Sequence, residues 1–206
     1  DTTSLEDMSG MFKNALTFNQ PLNSWTVSNV TNLNNTFNNA DSFNQPLNSW
    51  TVSSVIYLGG TFKGNNSFNQ DLSNWDTSSV INMRETFQNT VFNNGLAGGV
   101  SNTLQWDTSS VTRMDNMFEG ANDFNGNISN WDTGNVENMN AMFHDATSFN
   151  QDIDLWNVSS VENMNSMFYG ATAFDNCGED LSWNVSSVEN MSKMFYGATN
   201  FNRNIS

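Results

Sequence analysis

Apolar side chains in this chain recur in a fixed register, and the polar positions between them recur with it. All seven tryptophans keep step, at Trp25, Trp50, Trp75, Trp106, Trp131, Trp156 and Trp183, with spacings of 25, 25, 31, 25, 25 and 27 residues. The sixteen phenylalanines fall two per unit, as in Phe12/Phe18, Phe37/Phe43, Phe143/Phe149 and Phe195/Phe201. Methionine fills two further columns, exemplified by Met114/Met117, Met139/Met142 and Met164/Met167. A repeat of this length cannot bury its own apolar edge, so each unit must stack on its neighbours. The chain reads as one continuous array over residues 1–206, of about eight coils.

Within a unit, two patterns alternate. Val161, Met164, Met167 and Phe168 are spaced by three and four, which predicts one face of a short helix. Ser159-Ser160-Val161-Glu162 has the form of a capping box ahead of it, and Gly170 stands where a helix C-terminus wants a left-handed residue. The helix is expected near Val161 to Tyr169. After a turn carrying the second Phe, Leu22, Trp25 and Val27 alternate with polar residues as in a strand. The expected architecture is a leucine-rich-repeat-like solenoid, with one short parallel β-strand and one short capped helix per coil.

The segment Val111-Met114-Met117-Phe118-Gly120-Ala121-Phe124-Asn125 follows a W-D-T-S-x-V-x-x-M-x-x-M-F-x-G-A-x-x-F-N pattern that covers essentially the whole chain. This pattern resembles the BspA-like leucine-rich-repeat surface proteins and the related repeat family of mycoplasma surface lipoproteins. The resemblance implies display on a cell surface and a part in adhesion or partner binding, with no catalytic residues to carry over. Leu33, Thr36, Leu58, Thr61 and Thr86 depart from it by standing in methionine columns, where they are expected to thin the core.

Composition narrows the partners. The formal net charge is −15, with only six Lys and Arg, so no basic patch for nucleic acid or an anionic membrane can be assembled. Cys177 is the only cysteine, which excludes an internal disulfide and a paired-cysteine metal motif. No signal peptide, membrane-length apolar run or lipidation motif is present. The first residues align with the middle of a unit and the last with its end, so the chain is expected to be a segment of a longer protein.

Candidate chemistry lies outside the packing columns. The residue after each Trp gives a row of Thr26, Thr51, Asp76, Asp107, Asp132, Asn157 and Asn184, expected on the outward face of the sheet as its binding surface. Asp76, Asp107 and Asp132 would be vertical neighbours, which invites either plain solvation or a Ca²⁺ ion held by oxygen ligands. The tryptophans are expected to be buried, the alternative being an exposed ladder for sugars. Asn19, Asn44, Asn69, Asn125, Asn150 and Asn202, with Asp175, are expected to form a stacked amide ladder. A Thr/Ser surface for ice binding is disfavoured because Thr gives way to Asp and Asn. Two insertions, around Phe92–Gln105 and Asp175–Asp180, should bulge from one rim. His144 and Cys177 each stand alone, which speaks against a nucleophilic pair. The several Asn-x-Ser/Thr sequons, such as Asn29 and Asn190, are expected by chance in so Asn-rich a chain.

The function expected from these residues is therefore a non-catalytic, extracellular interaction module. It would bind a protein or glycan through its sheet face and rim loops, and assembly with itself or with further repeats is open to it. A Ca²⁺- or carbohydrate-binding repeat is the alternative.

Overall fold

Hydrogen bonds between coils, rather than within them, organise the backbone. The computed structural model describes residues 2–96, 98–99 and 103–205. In the first coil the N–H groups of Met8, Gly10, Phe12 and Asn14 donate to the carbonyls of Asn32, Asn34, Thr36 and Asn38 at 2.8–2.9 Å. The intervening N–H groups of Met11, Lys13 and Ala15 turn back onto the carbonyls three residues earlier, at 3.0–3.1 Å. Every second amide thus points along the stack, and those between close tight turns. The same alternation recurs further along, where Met139, Ala141, Phe143 and Asp145 donate to Asn163, Asn165, Met167 and Tyr169. Single parallel bridges join the coils in one line through Asp7, Asn32, Tyr57, Asn82, Arg113, Asn138, Asn163 and Asn190.

This corrects the expected strand-and-helix plan. Among the described residues there is no α-helix and no β-strand, only one 3-10 turn at Asn176–Gly178. The segment expected as a helix, near Val161 to Tyr169, is a run of turns. Two positions four apart in each coil take left-handed backbone: Asn35 and Asn39, Asn116 and Gly120, Ser166 and Gly170. A helix tolerates no such residue in its interior, because its hydrogen bonds need unbroken right-handed φ/ψ. The presumed capping serine is also engaged elsewhere, since the Ser159 hydroxyl donates to the Asn157 side-chain oxygen at 2.7 Å. Leu22–Val27, expected as a strand, is a turn closed by the Trp25 N–H on the Leu22 carbonyl at 3.0 Å. The line of bridges runs instead through the segment expected to be helical.

The columns themselves pack as stacks. The first phenylalanines (Phe12, Phe37, Phe62 and onward) stack nearly parallel between coils with centroids 5.4–5.7 Å apart. Each also stacks on the second phenylalanine of its own coil at 3.8–4.3 Å. A fully buried ring of this size contributes about 1.5–3 kcal/mol, and parallel pairs add up to about 1.5 kcal/mol. Trp50, Trp75, Trp106, Trp131 and Trp156 are buried, at 2–3 % exposure. Each indole N–H donates to the carbonyl of the Leu or Ile in the coil before, as Trp131 does to Leu104 at 2.9 Å. Met114, Met117, Met139, Met142, Met164 and Met167 are fully enclosed.

Threonine in the methionine columns does not thin the core. Thr36, Thr61 and Thr86 are fully buried, and each hydroxyl lies within reach of one carbonyl in its own coil and one in the coil before. For Thr61 these are Leu58 at 2.7 Å and Leu33 at 3.0 Å. A buried hydroxyl with such partners offsets its own desolvation and ties two coils together.

Candidate functional site

The asparagine column after the second phenylalanine forms the expected ladder, and it is structural. The backbone N–H of each member donates to the side-chain oxygen of the member before it: Asn44 to Asn19, Asn69 to Asn44, Asn150 to Asn125 and Asp175 to Asn150, at 2.9–3.0 Å. Asn93 belongs to this ladder, bonding Asn69 at 2.8 Å and receiving Asn125 at 2.9 Å. It escapes the sequence register because Phe92 follows Phe87 by five residues, where other units have six. The Asn69 and Asn125 amide nitrogens are engaged as well, donating to the Leu96 and Gly99 carbonyls at 2.7 and 3.0 Å.

The insertions are anchored more firmly than rim loops need be. Asn94 and Asn176 are buried, and their side-chain oxygens accept the N–H groups of Leu72 and Ile153 at 2.8 and 2.9 Å. Each insertion therefore plugs one backbone donor of the coil before it. Ala97, Val100, Ser101 and Asn102 of the first insertion lie outside the described residues.

The row after the tryptophans is exposed at all seven positions, Thr26, Thr51, Asp76, Asp107, Asp132, Asn157 and Asn184. It lies in irregular segments between turns, because there is no sheet to carry it. Its Asp and Asn side chains fold onto the residue two positions on: Asp107 accepts the N–H and hydroxyl of Ser109 at 3.0 and 2.7 Å, and Asp132 accepts the Gly134 N–H at 2.9 Å. The Ser109 hydroxyl and then its N–H hold the Asp107 carboxyl below its ordinary range. These are Asx turns that fix the corner of the coil. No group of three acidic, His or Cys side chains among the described residues is arranged to hold a metal ion, the Asp76, Asp107 and Asp132 row included. The buried tryptophans equally remove the sugar ladder, since no indole face is presented in a row.

The face along the line of bridges is recessed. A shallow groove there is lined by Arg113, Glu137, Asn138, Glu162, Asn163, Glu189 and Asn190. Glu137, Glu162 and Glu189 occupy one column on adjacent coils, and their backbones bond directly, Glu162 to Glu137 at 2.9 Å and Glu189 to Glu162 at 2.8 Å. Asn138, Asn163 and Asn190 beside them each accept the N–H two residues on, which holds the turn that presents the glutamates. Earlier in the chain the same face carries a smaller hollow lined by Asn34, Asn35, Gly59, Asn82, Arg84 and Glu85.

Between the two hollows sits an ion-pair network. Asp115 is buried and pairs with Arg113 at 2.9 Å and Arg84 at 3.0 Å, while Glu85 pairs with Arg84 at 2.7 Å and Lys63 at 2.8 Å. Burial pulls the Glu85 carboxyl upward, but the Lys63 and Arg84 contacts outweigh it and leave it below the ordinary carboxylate range. These cations are committed to acids, so the network closes the groove at one end without offering a positive site. In sequence the glutamate column shows itself at Glu162, which the helical reading took as the acidic member of a capping box.

His144 stacks on Tyr169 at 4.6 Å, and Tyr169 on Tyr196 at 4.8 Å. The Cys177 thiol lies 3.1 Å from the Asn150 carbonyl, and burial pushes its pKa up. The two side chains have separate partners, and neither activates the other.

No curated protein and no solved structure matches the chain. A family model described as "Mycoplasma protein of unknown function, DUF285" matches it twice, over residues 1–98 and 91–206, and so across its whole length. By the repeated columns that its coils share and by this match, the chain belongs to that family.

Proposed function

We propose that the chain is a non-catalytic interaction module, displayed at a cell surface, that binds a protein partner along the face of the bridges. The observation that carries this reading is the division of labour among its columns. Aromatic, methionine, threonine and ladder-asparagine side chains are consumed between coils, while the Glu137–Glu162–Glu189 column and the neighbouring asparagines stay at the surface in a groove. Aligned carboxylates of a chain at −15 favour lysine and arginine on the partner and speed its encounter. Buried tryptophan removes the usual platform for a sugar, which favours a protein over a glycan. The resemblance of the W-D-T-S repeat to BspA-like surface proteins supports the setting.

The test is binding of the labelled chain to intact cells that have been treated with protease or, separately, with glycosidases. The expected result is binding that protease abolishes and glycosidases leave, and that falls at least tenfold in Glu137→Gln/Glu162→Gln/Glu189→Gln. Loss with glycosidases alone, or a triple variant that binds like the parent, would overturn the reading.

A further inference from the structure

The face of the bridges changes character halfway along, within columns that run unbroken from coil to coil. The residue before each bridge reads Thr31, Ile56, Ile81, Thr112, Glu137, Glu162 and Glu189. From Ile56 onward each N–H donates to the carbonyl of the member before it at 2.8–3.0 Å, so these residues form one rail. Its first half is apolar and its second acidic. Tyr57 and Ile81 are each 38 % exposed, and with Leu155 they are the large apolar side chains that the inner coils leave to solvent among the described residues. Both have a coil stacked on either side, so what they expose faces sideways.

Two irregularities set this apolar half apart. In the bridge column Asn32, Asn82, Asn138, Asn163 and Asn190 each accept the N–H two residues on with a side-chain oxygen. Tyr57 stands in that column without such an oxygen, so its coil forgoes a turn bond that those coils keep. Positions that break a local rule with no compensating contact are where function concentrates. Two residues on, Gly59 occupies a column in which the Asn165 amide donates to Asn140 at 2.9 Å and the Ser192 hydroxyl to Asn165 at 2.7 Å. Glycine supplies no donor. The Asn34 side-chain oxygen lies 2.8 Å from where a β-carbon on Gly59 would stand, and it is buried with no hydrogen-bond partner. The small hollow lined by Asn34, Gly59, Asn82 and Arg84 thus holds an unused acceptor close to Tyr57.

Building on the protein-binding reading of this face, we propose that it takes one amphipathic α-helix of the partner. The helix is apolar over Tyr57 and Ile81 and basic over Glu137 and Glu162, and one of its donor side chains enters the hollow at Gly59. Spacing selects a helix. Stacked coils repeat about every 4.8 Å. One face of a helix returns about every 5.3 Å, and one face of a strand about every 6.7 Å. Over the four coil steps from Ile56 to Glu162, a helix drifts out of register by about 2 Å and a strand by about 8 Å. A strand also finds no edge to join, since the amides of the rail are already bonded between coils. That length of rail, about 19 Å, matches about 13 helical residues read at successive turns. The Arg84 and Arg113 guanidiniums between the two halves are offset by Asp115 and Glu85, which leaves the glutamates to set the sign of the partner.

The probe is a fluorescent alanine-based peptide of about 16 residues, stapled on its far face to hold the helix. It carries leucines on one face of its first two turns, a glutamine beside them, and lysines on the same face of the later turns. Titrated with the full chain, it should bind saturably. Tyr57→Ser/Ile81→Ser and Glu137→Gln/Glu162→Gln should each weaken binding at least tenfold, as should moving the lysines to the opposite face of the peptide. Gly59→Asn gives that column the residue it has at Asn140 and Asn165 and fills the hollow, so it should weaken binding several-fold without lowering the urea midpoint. The proposal is overturned by a peptide that does not bind, by an unstapled proline-containing version that binds as tightly, or by a Gly59→Asn or Tyr57→Ser/Ile81→Ser chain of parental stability that binds like the parent. Those results leave the glutamate groove standing as long as its variant still loses attachment to cells, and only failure there removes that reading as well.

Discussion

Gly120 offers the sharpest test of how the coils are held apart. It sits at φ +65°, in the left-handed region, and a β-carbon built on it would come within 2.2 Å of the Asn89 side-chain oxygen of the preceding coil. Gly120→Ala therefore carries two penalties. A non-glycine residue in the left-handed region costs about 1–2 kcal/mol. The Asn89 amide must also swing from its position, and as an exposed side chain it does so for about 0.5–1.5 kcal/mol of rotamer strain. The sum is about 1.5–3.5 kcal/mol. Asn89→Gly removes the amide and leaves a glycine at φ 55°, where glycine is at ease. In the double variant only the backbone penalty should survive, so the coupling energy between the two sites should be about 1 kcal/mol in the favourable direction. Urea unfolding followed by tryptophan fluorescence reads all four corners of this cycle, with unchanged slopes licensing the comparison. Zero coupling would refute the reasoning, and so would a neutral Gly120→Ala, since the alternation of Asn39, Gly64, Asn89, Gly120, Asp145 and Gly170 would then have no steric basis.

Trp131→Phe should cost about 1–3 kcal/mol by leaving the buried Leu104 carbonyl without a donor, whereas Trp25→Phe, at a half-buried indole with no such partner, should cost clearly less; equal losses in urea midpoint would refute the role given to the indole N–H. Lowering the pH should leave the protein folded down to about pH 5 and destabilise it below about pH 4. Asp7, Glu85, Asp107 and Asp175 all have folded pKa values below their ordinary ones, so their contribution is present above the unfolded values and is lost as pH falls through the folded ones. A fluorescence transition beginning near pH 6 would contradict this.

The glutamate groove shows how a helical reading passes over a site. Glu162 was legible as a capping residue, and the spacing of Val161, Met164, Met167 and Phe168 fits a helix as well as it fits a run of turns. Burial on one side recurs every three or four residues in both. What separates them is the destination of the backbone hydrogen bonds. A local signal did exist in the paired left-handed positions, such as Asn35 with Asn39 and Gly60 with Gly64, which no helix interior could hold. Read singly, Gly170 looked like a helix cap.

The sequence by itself determined the period, the register and the identity of every internal column, because like residues must meet like residues when coils stack and the spacing of Trp, Phe and Asn is a direct record of that contact. It determined equally that Asn19, Asn44 and Asn69 would form a ladder, since buried amides demand partners. Only the tertiary structure decided that the coils contain neither helix nor strand, that Thr61 and its kin are clamps between coils, and that the exposed row beside the tryptophans is spent on its own turns. Each of these depends on where a donor finds its acceptor, and in this chain that acceptor lies about 25 residues away, beyond the reach of any local pattern.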